Sequence, residues 1–296
     1  MQYRWPKFSE LYGDFGQRLS LNSKLYYIRQ VSRYFLHCLL AQEQIKQFVI
    51  SVNQNNRLVD FFQKHQVGAY RIVCSDFVNK KFTRRERLRL IEDNFSLILA
   101  LKEEGFQKLL KQEEIIIYAQ GDLEIVFKIN GTFEEGFFAF EIKFMEQRSY
   151  GISFCLDLSQ KALIIGSLQG LAQGEEAREV IKILTKKCFG LRPQALLVEL
   201  MRFAMKGFAS CALLGVDQTS QMRFAPFGKK GYFIDYDALW KEMSGIKKGN
   251  YFDITQNQRR SLDEIPSQKH SMYKKRFALL DELQGLVEIK MREMGF

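Results

Sequence analysis

Histidine is scarce in this sequence: three residues, His37, His65 and His270, in 296. Their spacing fits no metal-ligand pattern, which argues against a structural zinc site. Cysteine is hardly more frequent. Cys38, Cys74, Cys155, Cys188 and Cys211 are odd in number, widely scattered and contain no Cys-x-x-Cys pair. A disulfide framework is therefore not expected, and free thiols in a reducing cytoplasm are. No apolar run reaches the length that spans a bilayer. The segment Met1 to Glu10 holds Arg4, Trp5, Pro6 and Lys7 and lacks the apolar stretch of a signal peptide. Internal repeats, low-complexity tracts and a clean linker are also missing. These absences predict a soluble, cytoplasmic protein, at most peripheral at the inner membrane, with no metal.

What is present is ordinary in amount and uneven in kind. Hydrophobic residues make up 46% and charged residues 26%, within the range of globular domains that bury a core. Phenylalanine occurs 26 times, which predicts thick aromatic cores. The net charge of +10 suits a solvated basic surface, nucleic acid, an anionic membrane or an anionic small ligand. Nucleic acid is the weakest of these, because the basic residues form no recognition-helix pattern and no aromatic single-strand platform.

The first third reads as helix. Leu25, Ile28, Phe35, Leu36 and Leu39 share one face at helical spacing. A basic run from Arg84 to Arg89 opens the next apolar stretch. Arginines at a helix start oppose the macrodipole, so the run is either a charged solvent face with Glu86 in reach or is held for another reason. The pattern then changes to period two. Leu123 to Ile129, Phe138 to Phe144 and Ile152 to Leu158 alternate, and the unalternating Ala162 to Ile165 reads as a strand buried on both faces. Short links make these an antiparallel meander. Beyond Ile165 the expectation is a glycine-bearing turn, then a helix from about Gly174 with Glu175 and Glu176 in its first turn and Lys186 and Lys187 in its last. Pro193 begins a second helix, Cys211 to Val216 forms a buried strand, and Tyr236 to Met243 a short helix. Asn250 to Ile265 reads as irregular, and Ser267 to Ile289 as a last helix.

Several segments together resemble the VirK/YbjX proteins of Gram-negative bacteria. They are Ile165 to Gly170, Thr185 to Pro193, Tyr236 to Trp240 and Glu264 to Leu280, in order along the chain. In the last segment the family pattern carries more Lys and Arg than Gln268 and His270 supply. The resemblance implies links with virulence, the cell envelope and resistance to antimicrobial peptides; it supplies no reaction and no catalytic residue.

The order of elements is similar to the acyl-CoA N-acyltransferase fold, although the Gln/Arg-x-x-Gly-x-Gly/Ala pattern is not met and the helix from Pro193 is additional. In that fold the turn after a central strand offers N–H groups to the cofactor pyrophosphate. Here that turn would run from Gln169 to Gly174, with Gln169, Gly170, Gly174 and Arg192 as the cofactor-binding candidates. Acyl transfer needs a base and a proton for the leaving thiolate. Glu199, Asp217, Asp235 and Tyr273 are the possible suppliers, and spacing singles out none. Lys269, Tyr273 and Arg276 share a helix face that could hold an anionic phosphate or lipid headgroup.

The expected fold is α+β: a helical N-terminal region over 1–112, and over 113–296 a mixed, mainly antiparallel sheet flanked by helices, the two packed as one unit. Two functions remain open. One is an acyltransferase that uses an acyl-CoA or acyl-carrier donor on an envelope or peptide substrate. The other is a non-catalytic protein that binds a partner or anionic lipid at the inner membrane face.

Overall fold

Strands of period two joined by short links pair with their neighbours, and here they build one sheet with the helices Pro193–Ala204 and His270–Met294 on one face. The computed structural model describes residues 2–12, 21–171, 174–222, 234–256, 259 and 261–296, with the side chains of 21–24 left out. Helices come first: α1 (Phe8–Tyr12), α2 (Leu21–Leu40), α3 (Gln42–Val52), α4 (Asn56–Lys64), α5 (Gln66–Cys74), α6 (Arg84–Asp93), α7 (Phe95–Ala100) and α8 (Glu103–Leu110). Then follow β1 (Ile115–Gln120), β2 (Leu123–Ile129), β3 (Phe138–Phe144), β4 (Gln147–Asp157) and β5 (Ala162–Gly170). The helices α9 (Glu175–Lys187) and α10 (Pro193–Ala204) lead to β6 (Ala212–Val216). The chain ends with α11 (Tyr236–Glu242), β7 (Ile246–Lys248), β8 (Tyr251–Asp253) and α12 (His270–Met294).

Among the described residues the strand order is β1-β2-β3-β4-β5-β6-β8-β7. Every pairing is antiparallel except β5 with β6, which the α9–α10 crossover makes parallel. The expected α+β class is therefore what forms. No helix among the described residues is long and apolar enough to cross a membrane.

Phenylalanines fill the core. Phe127 stacks on Phe138 at 5.5 Å and Phe140 on Phe154 at 5.8 Å, while Phe154 meets Phe208 at 5.4 Å. This side of the sheet receives α10, against β3 and β4, and α12, against β1. On the N-terminal side Phe62 and Phe77 both meet Phe137, so one core cluster joins the helical region and the sheet. The basic run has a specific use in this contact. Thr83 and Glu86 form a capping box that starts α6. Arg89 then forks onto the fully buried carboxylate of Asp157 at the end of β4, both bonds at 2.9 Å.

Two readings of the sequence need correction. The strand expected to stop at Ile165 continues to Gly170, where Gln169 pairs with Gly151 and Gly170 with Tyr150. Gln169 and Gly170 are therefore strand residues, and the link to α9 begins after Gly170. Residues 172 and 173 of the expected turn lie outside the described residues. The stretch expected to be irregular after Asn250 contains β8, which forms a hairpin with β7 and extends the sheet beyond β6. β1 adds a strand whose run Ile115-Ile116-Ile117-Tyr118 carries no alternation.

Candidate functional site in the sheet

The pleat sends alternate residues to opposite faces, and one face of β2–β5 is polar. Lys128 pairs with Ala139, Ala139 with Ser153, and Ser153 with Ser167, so these positions form a row across four strands. A β-bulge decides the phase of this row. Phe154 pairs with Ile165 but Ser153 with Ser167, which leaves Gly166 as the extra residue of β5. The bulge turns Ser167 and Gln169 toward the polar face and Leu168 into the core, where it is fully buried.

Only glycine fits at the bulge. A methyl group on Gly166 would stand 2.0 Å from the carbonyl oxygen of Glu135. That carbonyl belongs to a 3-10 turn, Phe133–Glu135, in the loop between β2 and β3. Asn130 shapes the loop by donating from Nδ2 to the carbonyls of Thr132 (2.6 Å) and Gly136 (3.0 Å). Gly136 closes it at φ 142°, with the Phe154 backbone where a side chain would begin.

The loop thereby drives the Glu135 carboxylate into the face of the sheet, where it is 3% exposed. Oε2 accepts from Ser167 Oγ at 2.7 Å and from Gln169 Nε2 at 2.6 Å. Ser153 Oγ lies 2.8 Å from Ser167 Oγ and 2.9 Å from the Glu135 carbonyl. Two hydroxyl protons thus serve three acceptors. The chain Ser153 to Ser167 to Glu135 is one satisfied arrangement and can relay a proton.

Beside this network lies an open cavity of about 250 Å3. Its rim is an ionic lattice. Glu114 accepts from Lys143 at 2.7 Å and Lys128 at 3.3 Å, and Glu141 pairs with Arg148 at 3.2 Å and Lys128 at 3.5 Å. Burial alone would raise the Glu114 carboxyl, but the bonds from Lys143 and Lys128 outweigh it and hold it below the ordinary carboxylate range. A second hollow, about 430 Å3, adjoins across Asn130 and Gly131 and is bordered by His65, Arg71 and Glu134.

Of the residues singled out in the sequence, only Gln169 lines the cavity. Gly170 lies against the Tyr150 ring, and Gly174 precedes α9 with open space around it. Arg192 pairs with Glu242 at 3.0 Å. Glu199 is bound to Arg202, whose guanidinium also donates to the carbonyls of Met243 and Ile254. Asp217 caps the turn to Ser220 and accepts from Lys247 at 3.0 Å. Burial would raise the Asp217 carboxyl, but Ser220 and Lys247 prevail and lower it. Asp235 caps α11 through Ala238 N–H.

In α12 Arg276 stands 4.1 Å over the Tyr273 ring and donates twice to the Phe189 carbonyl beyond α9. Tyr273 and Arg276 are therefore brought together, whereas Glu199 and Asp217 belong to separate clusters. Glu135, Ser153 and Ser167 escaped the sequence reading. The signal was the paired Ser153 and Ser167, each a polar residue next to fully buried apolar neighbours in its strand.

Comparison with known proteins adds the family. A model described as "Protein of unknown function (DUF535)" matches residues 23–288. The chain belongs to this family. It is that of the VirK/YbjX proteins. An uncharacterized protein of Haemophilus influenzae is 30% identical over 295 residues, covering 98% of this chain and 96% of its own. "Membrane protein LapB" of Mannheimia haemolytica is 31% identical over 224 residues, 75% of this chain and 95% of that one. YbjX of Escherichia coli is 29% identical over 170 residues, 56% of this chain and 48% of its own. No solved structure matches.

Proposed function

We propose that this VirK/YbjX protein transfers an acyl group from a thioester donor, an acyl-CoA or acyl-carrier protein, to an amine or hydroxyl of an envelope or peptide acceptor. One observation carries the reading. The parallel pairing of β5 with β6 ends at Ile165 and Gly215, while β5 runs on to Gly170. Past Ile165 the strands part. The Leu168 amide and carbonyl are met there by the Tyr236 hydroxyl, at 3.1 and 3.0 Å. A strand edge whose backbone groups are met by one side chain rather than by a neighbouring strand suits an extended donor with its own amides. The polar cavity adjoins the same stretch of β5.

Glu135 takes the proton from the acceptor nitrogen or oxygen, directly or through Ser167. The acceptor atom bonds to the thioester carbonyl carbon, the C–S bond breaks, and the thiolate receives a proton from the Tyr236 hydroxyl. Glu135 then releases its proton to water and the Tyr236 oxygen takes one back, so the net change is one acyl group moved to the acceptor and one proton moved to the thiol. Tyr236 must shift for the donor to reach Leu168, so donor binding and displacement of this hydroxyl are one event. Acylation of an envelope or peptide amine removes a charge. That change would link the activity to antimicrobial-peptide resistance and virulence.

Calorimetry with acetyl-CoA, longer acyl-CoAs and acyl-carrier protein tests the donor, and mass spectrometry of acceptor amines tests the transfer. Binding of one donor class is expected, with Glu135→Gln retaining donor heat and losing turnover about 100-fold. Absence of heat and of transfer with every donor overturns the reading.

A further inference from the structure

The outward face of α2 is apolar, the reverse of what a helix on a protein surface normally presents. Its inner side is anchored: Tyr34 is buried, donates to the Pro6 carbonyl at 2.7 Å and packs on Tyr70 at 5.4 Å. The outer side exposes Leu25 (67%), Ile28 (59%), Phe35 (62%), Leu36 (53%) and Leu39 (70%). These are the residues whose helical spacing was evident in the sequence; the tertiary structure turns them to solvent.

Charge accompanies the stripe on one flank. At about 100° per residue, Arg29 and Arg33 fall beside Leu36 and Leu40, and both are exposed. No aspartate or glutamate occurs anywhere in α2. Where α2 ends, exposed Arg84 and Arg85 of α6 border the same hollow as Leu39 and Leu40. The acids near it are engaged, Glu43 with Lys46 and Glu86 in the α6 capping box.

We infer that α2 docks in the surface of an anionic phospholipid bilayer. The stripe from Leu25 to Leu39 enters the acyl boundary, and Arg29, Arg33, Arg84 and Arg85 meet headgroup phosphates. An apolar stripe edged by cations and free of acids fits that surface, whereas a second copy of the chain would set these arginines against one another. The inference goes beyond acyl transfer and rests on different residues.

Flotation of the full chain with vesicles of phosphatidylcholine alone, or mixed with phosphatidylglycerol, is the test. Binding to the anionic vesicles is expected, weakening with salt. Leu36→Asp with Leu39→Asp abolishes it, while an unchanged unfolding midpoint certifies the fold. Arg29→Gln with Arg33→Gln lowers anionic binding about 25-fold, at about fivefold for each arginine. Equal binding to neutral vesicles, or none to either, overturns the inference. So does a dimer that dissociates on Leu36→Asp without any flotation. Donor calorimetry is independent of all these outcomes, so acyl transfer and membrane docking fail separately.

Discussion

His65 shows how burial converts a common side chain into a pH-dependent element. It sits between Phe61 and Phe133, 4.6 and 5.4 Å from their ring centres, at the junction of α4 and α5. Burial first, and the neighbouring Lys64 second, push its pKa down to about 4. The unfolded value is about 6.5. Above that value the imidazole is neutral in both states and stability is complete. As pH falls below it, the unfolded chain takes up a proton that the folded chain refuses, and stability is lost until both are protonated below about 4. Urea unfolding should show a loss from this group of about 2.5 kcal/mol between pH 7 and pH 4.5. His65→Phe should remove that portion of the acid sensitivity. An unchanged difference between the two pH values would exclude His65 as its source.

At the scale of elements, the bulged strand β5 governs the candidate site. Period-two reading through Ile164, Gly166 and Leu168 assigns all three to one face. The extra residue at Gly166 changes the parity, and a one-residue slip exchanges the faces. Gly166 read instead as the opening of a glycine-bearing turn, so neither the bulge nor Ser167 was suspected. Gly166→Ala should cost about 3 kcal/mol, since the obstacle is a backbone carbonyl that has no rotamer to yield. Gly131→Ala, in the same loop system but with open space around it, should stay within about 0.5 kcal/mol. Chemical denaturation of both variants checks the contrast. Equal cost would mean that the Glu135 loop is not held by its approach to β5. The helices α9 and α10 were legible because the end charges of the one and the leading Pro193 of the other are local signals. The β7–β8 hairpin was not, because three-residue strands gain their order from β6 rather than from their own pattern.

For the whole molecule, the helical region and the sheet region share one core. Phe62, Phe77 and Phe137 pack across the junction, and Arg89 on α6 clamps Asp157 on β4. Burial would raise the Asp157 carboxyl, but the Arg89 bonds dominate and hold it far below the ordinary range. Unfolding should therefore be one transition by both far-ultraviolet and near-ultraviolet probes. Asp157→Ala should lower it by about 2 kcal/mol, because it removes the buried acceptor shared by Arg89, Ser159 and Gln160 and leaves Arg89 with Asp93. Two separated transitions would mean that the helical region is an independent domain.

By itself the sequence determined the class of fold, the helices with capped ends and the family, because spacing, caps and motif order act over a few residues. The tertiary structure alone decided which faces look inward. The apolar stripe of α2 and the serines of β4 and β5 carry the same periodicity whether buried or exposed. Only packing against α5, and the close approach of the Glu135 carbonyl to Gly166, turns the first toward solvent and the second toward a shared carboxylate.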